Sequence, residues 1–259
     1  MGECRILVFS GLKTRKPLIW ALLCILLLGT VLFNAYTFGH NAFVQGNYRT
    51  ARGWYQVAAL MGHGKAQNNL AGLYAEGLGG EQDNTLAAKW FQKAAQNGIA
   101  SAQFNLSNFY EEGRGVTRNT IEAVVWLESA AKQGDVTAAF NLGSLYATGR
   151  DDFPKDASQA IRWYVQAAEQ GHASAQYNLG SIYAQGVDTP KDLTQAGKWF
   201  TKAAQQGHAK AQMDLGTMYA YGMGYDKDVA QGHLWLRKAA AQPATAAEAQ
   251  KRIDATSSF

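Results

Sequence analysis

Three histidines at matching positions of a repeating pattern are the first candidates for metal or acid–base chemistry. His63, His172 and His208 each follow a glycine directly. This spacing places them in equivalent turns of different repeats and not around one metal ion. Neither a His-Glu-x-x-His nor a Cys-x-x-Cys sequence occurs in the chain. We therefore expect turn residues here and no metal site.

Two adjacent acidic pairs, Glu111-Glu112 and Asp151-Asp152, are the next candidates. General acid–base catalysis needs two carboxyl groups that converge across a cleft with separated pKa values, whereas neighbouring loop carboxylates are typical of a solvated surface. Glycine pairs such as Gly77-x-Gly79 lack the strand, the third glycine and the lysine of a phosphate-binding loop. We expect no catalytic residue and no cofactor, and an enzyme is the least favoured interpretation.

These candidate residues belong to a sequence pattern that repeats about every 36 residues. Six of the seven tryptophans recur at intervals of 36, 36, 37, 36 and 36, namely Trp54, Trp90, Trp126, Trp163, Trp199 and Trp235. All six have Asp or Asn at −7 and Ala at +4, and the first five also have Gly at +8, Ala at +12, Leu at +16, Tyr at +20 and Gly at +23. Such self-similarity is the signature of a repeat architecture.

The offsets predict two helices in each repeat. Asp or Asn at −7 is an N-cap for a helix that carries the tryptophan, and the glycine at +8 ends that helix in the left-handed region. The alanine, leucine and tyrosine that follow are four residues apart, which predicts one face of a second helix. Neither helix can bury its apolar stripe alone, so the repeats are expected to stack as a solenoid.

The run Trp-aromatic-x-x-Ala-Ala-x-x-Gly-His-Ala-x-Ala-Gln-x-x-Leu-Gly resembles the Sel-one-like repeat (SLR), a relative of the tetratricopeptide repeat. The resemblance covers about residues 44–242, and it departs from the family at Ser107 and at Asp135-Val136. The recurring positions and the resemblance together predict an all-α fold. They predict a right-handed α-solenoid of antiparallel helix pairs, with five full repeats plus a partial C-terminal repeat, preceded by one transmembrane helix.

Basic residues form a ridge at −1 and +3 relative to the tryptophans: Lys89, Lys93, Arg162, Lys198, Lys202 and Lys238. Residues four apart share a helix face. In tetratricopeptide-like solenoids the first helix of each repeat lines the concave groove. Taking the tryptophan helix as the first, the resemblance implies a groove that binds an acidic segment of a partner protein. The competing interpretation is that these cations only keep the surface soluble.

An apolar segment near the N-terminus predicts a membrane anchor. Residues 18–38 carry no charge, and as a helix they would span roughly 31 Å, close to the bilayer core of about 30 Å. Four Lys or Arg residues precede the segment, so the positive-inside rule places residues 1–16 in the cytoplasm. We predict a transmembrane signal anchor over 17–39 in a bacterial inner membrane, with residues 40–259, which we call the body, in the periplasm. A cleaved signal peptide that releases the body into the periplasm is the competing interpretation.

The net charge of the body limits the functions that the sequence allows. The net charge is +4, and residues 1–39 supply +3 of it (four basic, one acidic), which leaves +1 for residues 40–259. No basic patch for nucleic acid is implied. We predict a solenoid over 40–243 and a C-terminal cap and tail over 244–259. The predicted role is a non-enzymatic adaptor or regulator of the cell envelope. The alternative is an immunity protein that binds and neutralises a periplasm-acting toxin.

Overall fold

The computed structural model describes residues 30, 34–150, 152–186 and 189–257, and these residues form thirteen α-helices and no β-strand. The helices are α1 (Ala35–Val44), α2 (Tyr48–Leu60), α3 (Gly64–Glu76), α4 (Asn84–Gln96), α5 (Ala100–Glu112), α6 (Thr120–Lys132), α7 (Val136–Thr148), α8 (Ala157–Glu169), α9 (Ala173–Gln185), α10 (Leu193–Gln205), α11 (Ala209–Tyr221), α12 (Val229–Ala240) and α13 (Ala246–Thr256). The predicted all-α class is confirmed.

The described residues divide into two compact units. The first contains the residues up to 109 together with 113–117, and in it α1 pairs with α2 and α3 with α4. The second contains 110–112 and the residues from 118 onward, and in it α7 pairs with α8, α9 with α10 and α11 with α12. In both units each pair also packs on the next, which is the stacking that the repeat pattern predicts.

The helices that carry the tryptophans begin at the predicted N-caps. We call α2, α4, α6, α8, α10 and α12 the tryptophan helices. The carboxylate of Asp83 accepts a hydrogen bond from the backbone N–H of Leu86 at 2.8 Å, and Asp228 accepts one from Gln231 at 2.9 Å. All of them except α12 end two residues before a glycine with positive φ, such as Gly171 at +92°. The sequence therefore places both ends of these helices.

The helices between them bury the leucine column. We call α3, α5, α7, α9 and α11 the leucine helices; their leucines at +16 are at most 1% exposed. In α7, α9 and α11 a glycine one residue later lets the paired helix approach closely. A Cβ atom built on Gly180 would lie 2.7 Å from the Phe200 ring, and one on Gly216 would lie 2.8 Å from the carbonyl oxygen of Gly232. At that last point the backbones of α11 and α12 are in contact.

Buried glutamines connect successive helices of the stack, and we call this set of contacts the amide ladder. In α9, Gln176 donates from Nε2 to the carbonyl oxygen of Ala168 at 2.9 Å and accepts from Gln206 at Oε1 at 2.8 Å. In α11, Gln212 accepts in the same way from Gln242 at 2.9 Å. Each contact joins a leucine helix to the turn that follows its paired tryptophan helix.

The amide ladder is interrupted in the second unit at α7. The position that holds glutamine in α9 and α11 is Ala139 there. The turn after α8 therefore has no amide partner in α7, and Gln170 donates instead to the carbonyl oxygen of Gln166 in its own helix. Gln166 in turn reaches back from α8 to the carbonyl oxygen of Ala131 in α6, at 2.8 Å.

The predicted membrane anchor lies outside the described residues, apart from residue 30 and residues 34–39. No helix of the described residues is both long and apolar enough to cross a bilayer. Residues 35–39 belong to α1, which packs on α2. A Cβ atom on Gly39 would lie 2.7 Å from the Tyr55 ring, so this glycine allows the close approach. The helical stack thus begins five residues before the predicted boundary at residue 40.

The segment after residue 243 forms α13, which packs on α12 and α11. Arg252 fixes it in place. Its guanidinium donates from Nη1 to the carboxylate of Asp214 and to the hydroxyl of Thr217, both at 3.0 Å, and from Nε to Glu248 at 3.1 Å. Thr245, before the helix, donates to the carbonyl oxygen of Ala239 at 2.6 Å. This is the arrangement expected of a cap on the last repeat.

Candidate protein-interaction surfaces

The three histidines are helix N-caps. The Nδ1 atoms of His63, His172 and His208 each accept a hydrogen bond at 3.2 Å from the backbone N–H three residues later. An accepting Nδ1 must be unprotonated, and burial lowers the pKa of His172 and of His208. No group of His, Cys, Asp or Glu within the described ranges could hold a metal ion. The prediction that these histidines are turn residues is confirmed.

The acidic pairs have structural partners. Glu111 forms an ion pair with Arg150 at 3.0 Å, and Asp152 accepts a hydrogen bond from the backbone N–H of Thr120 at 3.2 Å. The hydrogen bond from Thr120 lowers the pKa of Asp152. Asp151 lies outside the described residues. The carboxylates of Glu111 and Asp152 thus hold loops and helix ends together.

The six predicted basic residues are all exposed and lie on four tryptophan helices. Lys89 and Lys93 lie on α4 in the first unit. The second unit carries Arg162 on α8, the lysines at 198 and 202 on α10, and Lys238 on α12. None of the six forms an ion pair with another residue in the described parts of the chain. Helices α4, α10 and α12 contain no acidic residue, so their exposed faces carry positive charge only.

The lysines at +3 lie over the tryptophan rings of their own helices. The Nζ atom of Lys202 is 4.1 Å from the ring centroid of Trp199, and that of Lys93 is 4.5 Å from the ring centroid of Trp90. Lys238 repeats this contact. Cation–π contacts at exposed sites contribute about 0.5–1 kcal/mol. The contact gives each lysine a local structural role and holds its charge at a defined place on the surface.

A cavity of about 360 Å³ lies in the second unit between α9, α11 and the turn before α13. The rings of Tyr177 and His208, stacked with centroids 4.7 Å apart, are part of its wall, and Ala244 is another part. Asn178 and Lys210 bring polar groups to it. Neither side chain makes a hydrogen bond or ion pair with another described residue.

Sequence reasoning missed both this cavity and the amide ladder. The ladder had a visible signal, because glutamine recurs thirteen residues after four of the tryptophans, at Gln67, Gln103, Gln176 and Gln212. A polar column beside a column of buried leucines indicates paired amides. The cavity had no such signal, since it depends on how the irregular turn at 241–245 packs against two regular helices.

The chain belongs to the Sel1 repeat family. The family model matches six successive segments, residues 24–63, 64–99, 100–135, 136–172, 173–208 and 209–243. The structure of a Sel1 repeat protein from Oxalobacter formigenes is similar to this chain, with 32% identity and a TM-score of 0.74, over 80% of this chain and 84% of that one. A search of curated proteins finds no sequence match.

Two further solved structures are similar at lower levels. One is c5321, a protective antigen of uropathogenic Escherichia coli with an SLR fold. It shows 28% identity and a TM-score of 0.54, over 88% of this chain and 57% of that one. The other is the immunity protein Pa5087 of Pseudomonas aeruginosa, with 22% identity and a TM-score of 0.44, over 80% of this chain and 81% of that one. The latter likeness is too distant to say anything about function here.

The matched segments correct the predicted repeat frame. Segment 64–99 contains α3 and α4, and 209–243 contains α11 and α12, so each of the last five repeats begins with a leucine helix. The count is six repeats, not five and a partial one. The rule that first helices line the concave groove therefore points to the leucine helices. The basic residues lie on the second helices, and their role in binding stays a prediction based on charge and exposure.

Proposed function

We propose that this protein is a non-enzymatic protein-interaction module of the bacterial cell envelope. The observation that carries the proposal is the set of exposed, unpaired cations on α4, α10 and α12, whose faces contain no acidic residue. Stacked repeats expose extended surfaces suited to a protein partner. Charge complementarity then favours a partner with an acidic segment.

The contact of lysine with tryptophan supports this role. A lysine over a ring has less freedom than one in solvent, so less entropy is lost when a partner carboxylate binds it. Lys93 and Lys202 have this arrangement, and each has a second cation four residues earlier on the same helix. Two cations on one face provide a site for more than one carboxylate.

Membrane anchorage is part of the proposal and rests on the sequence alone. Residues 18–38 are free of charge, and the basic residues precede them. Because residues 35–38 lie in α1, the seventeen residues 18–34 are left to span the bilayer, the lower end of the range of about 17–25 for a transmembrane helix. We expect the full-length protein to remain in the membrane fraction after carbonate extraction, and a variant that lacks residues 1–33 but keeps α1 to be released. Release of the full-length protein would favour the cleaved signal peptide.

The deciding experiment is photo-crosslinking in the native host from Lys93 and Lys202, followed by identification of the captured protein. Its affinity is then measured for Lys93→Glu/Lys202→Glu and for the control Lys65→Glu/Lys251→Glu, which makes the same change of charge at exposed lysines with no ring contact. We expect the first double variant to bind about tenfold or more weakly and the control to bind much as the unmodified protein does. Equal affinities would contradict the proposal. A captured toxin would identify an immunity role, and a sensor or envelope complex would identify an adaptor.

A further inference from the structure

The cavity between α9, α11 and the turn before α13 lies on helices that carry none of the six basic residues. We propose that it binds an extended segment of a partner protein, with one apolar side chain inside the cavity and a carboxylate beside Lys210. The proposal rests on the interaction role argued above, and it adds a second site with a defined ligand chemistry.

The walls of the cavity suit an apolar side chain. The Tyr177 and His208 rings form one side and Ala244 another, and the volume of about 360 Å³ is enough for a leucine or phenylalanine side chain. Small-ligand sites typically combine such apolar walls with a few placed polar groups. An acidic side chain inside the cavity would leave these rings without a matching surface.

The polar groups at the cavity suit a peptide backbone and a negative charge. The amide of Asn178 can donate and accept at once, as a peptide group requires. Lys210 is exposed and has no carboxylate partner among the described residues. Asp214, one turn further along α11, forms its ion pair with Arg252 at 3.0 Å and none with Lys210.

The cavity is held open by contacts that do not involve a ligand. The Tyr177 and His208 rings stack on each other, and His208 is fixed by the hydrogen bond from Ala211. On the opposite side Thr245 is 5% exposed and is fixed by its hydrogen bond to Ala239. A preformed site binds without the cost of ordering its own side chains.

The preceding repeat provides an internal comparison. Asn141 on α7 occupies the position of Asn178 and is likewise half-buried, and Ser174 occupies the position of Lys210. In that comparison the counterpart of the turn is the start of the regular helix α11, whereas the last repeat is followed by the turn with Pro243 and Ala244. The combination of cation and irregular turn thus belongs to the last repeat.

The test uses the full-length protein and a phage-displayed library of random peptides. We expect enriched peptides to share an apolar residue next to Asp or Glu, and one of them is then labelled for fluorescence anisotropy. Asn178→Ala and Ala244→Trp, which fills the cavity, should each weaken binding by about tenfold or more. Lys210→Ala should weaken it by about threefold and reduce its dependence on salt. The matched controls Asn141→Ala and Ala247→Trp should bind like the unmodified protein.

Several results would overturn the proposal. They are the absence of enrichment over the starting library, enriched peptides without an apolar anchor, and binding that Ala244→Trp leaves intact. A concentration-dependent dimer that Ala244→Trp abolishes would assign the cavity to a second copy of this chain instead. Thermal unfolding followed by circular dichroism should show that both tryptophan variants are folded, because Ala244 and Ala247 are exposed.

The two proposals fail in different ways. If crosslinking from Lys93 and Lys202 captures a partner and no peptide enters the cavity, only the cavity proposal is wrong. If peptides bind the cavity and crosslinking captures nothing, the interaction role stands and the six basic residues of the tryptophan helices are not its site.

Discussion

Replacing Gly216 by alanine should destabilise the protein, although alanine is the better helix former. Gly216 lies within α11, at the crossing with α12. A Cβ atom at this position would lie 2.8 Å from the carbonyl oxygen of Gly232 and 2.8 and 3.0 Å from Cγ and the backbone nitrogen of Leu236. Two of these three atoms belong to the backbone of α12 and cannot rotate away.

The magnitude follows from two opposing effects. Alanine gains about 1 kcal/mol over glycine within a helix, and overpacking a close contact costs about 1–3 kcal/mol, occasionally more. Because the helix backbones must separate, we expect the steric cost to exceed the gain. The net loss should be about 1–2 kcal/mol, which lowers the melting temperature by about 2–8 °C in a protein of this size.

Two other helical glycines are controls with the opposite expected sign. Nothing lies within 4 Å of a Cβ atom built on Gly53 in α2 or on Gly72 in α3. Gly53→Ala and Gly72→Ala should each stabilise the protein by about 0.5–1 kcal/mol. Urea unfolding followed by circular dichroism measures all three variants. If Gly216→Ala were as stabilising as the controls, the backbone contact between α11 and α12 would be refuted.

Two further predictions concern buried polar groups. Burial lowers the pKa of His172 and His208 below the value of about 6.5 of an exposed histidine, so these caps stabilise the fold above that pH and lose this contribution as the pH falls below it. The urea midpoint should therefore fall less between about pH 8 and pH 5 in the double variant His172→Asn/His208→Asn than in the unmodified protein, because asparagine keeps a capping oxygen without titrating in this range. An equal fall in the two proteins would refute the role of these histidines as neutral N-caps. The substitution Gln176→Leu leaves a backbone carbonyl and the Gln206 amide unpaired, and it should lower the free energy of unfolding in urea by about 1–3 kcal/mol. The control Gln205→Leu, at an exposed position, should change stability little. Equal effects of the two substitutions would contradict the amide ladder.

The regular parts of the fold could be predicted because their signals are local. Asp83 accepts its hydrogen bond three residues along, and Gly171 takes a positive φ where a helix must stop, so both act within one turn of chain. Trp163 and Leu179 occupy columns that recur in every full repeat and are at most 2% exposed. Because each position recurs in several repeats, one exception does not hide the pattern. Ser107, which is buried in the glycine column of α5, is such an exception.

The rest depends on contacts that a column of residues does not reveal. Helix α1 lacks the repeating columns, and its contacts in the structure, such as those of Gly39 and Tyr36 with the Tyr55 ring, show that it belongs to the stack. The frame of the repeat was ambiguous because helices that alternate can be paired in two ways. The charges of Lys93 and Lys202 were visible in the sequence, but their positions over tryptophan rings were not. The cavity beside Asn178 exists because Pro243 and Ala244 interrupt the period.

The alanine that interrupts the amide ladder should make α7 the least protected leucine helix of the second unit. Gln176 ties α9 to α8 and to the turn after α10, and Gln212 ties α11 to the turn after α12, but no amide joins Ala139 of α7 to the turn after α8. In a repeat stack, cooperativity depends on the energies of the contacts between neighbouring elements. Native-state hydrogen exchange should therefore report a lower opening free energy for the amide protons of α7 than for those of α9 and α11.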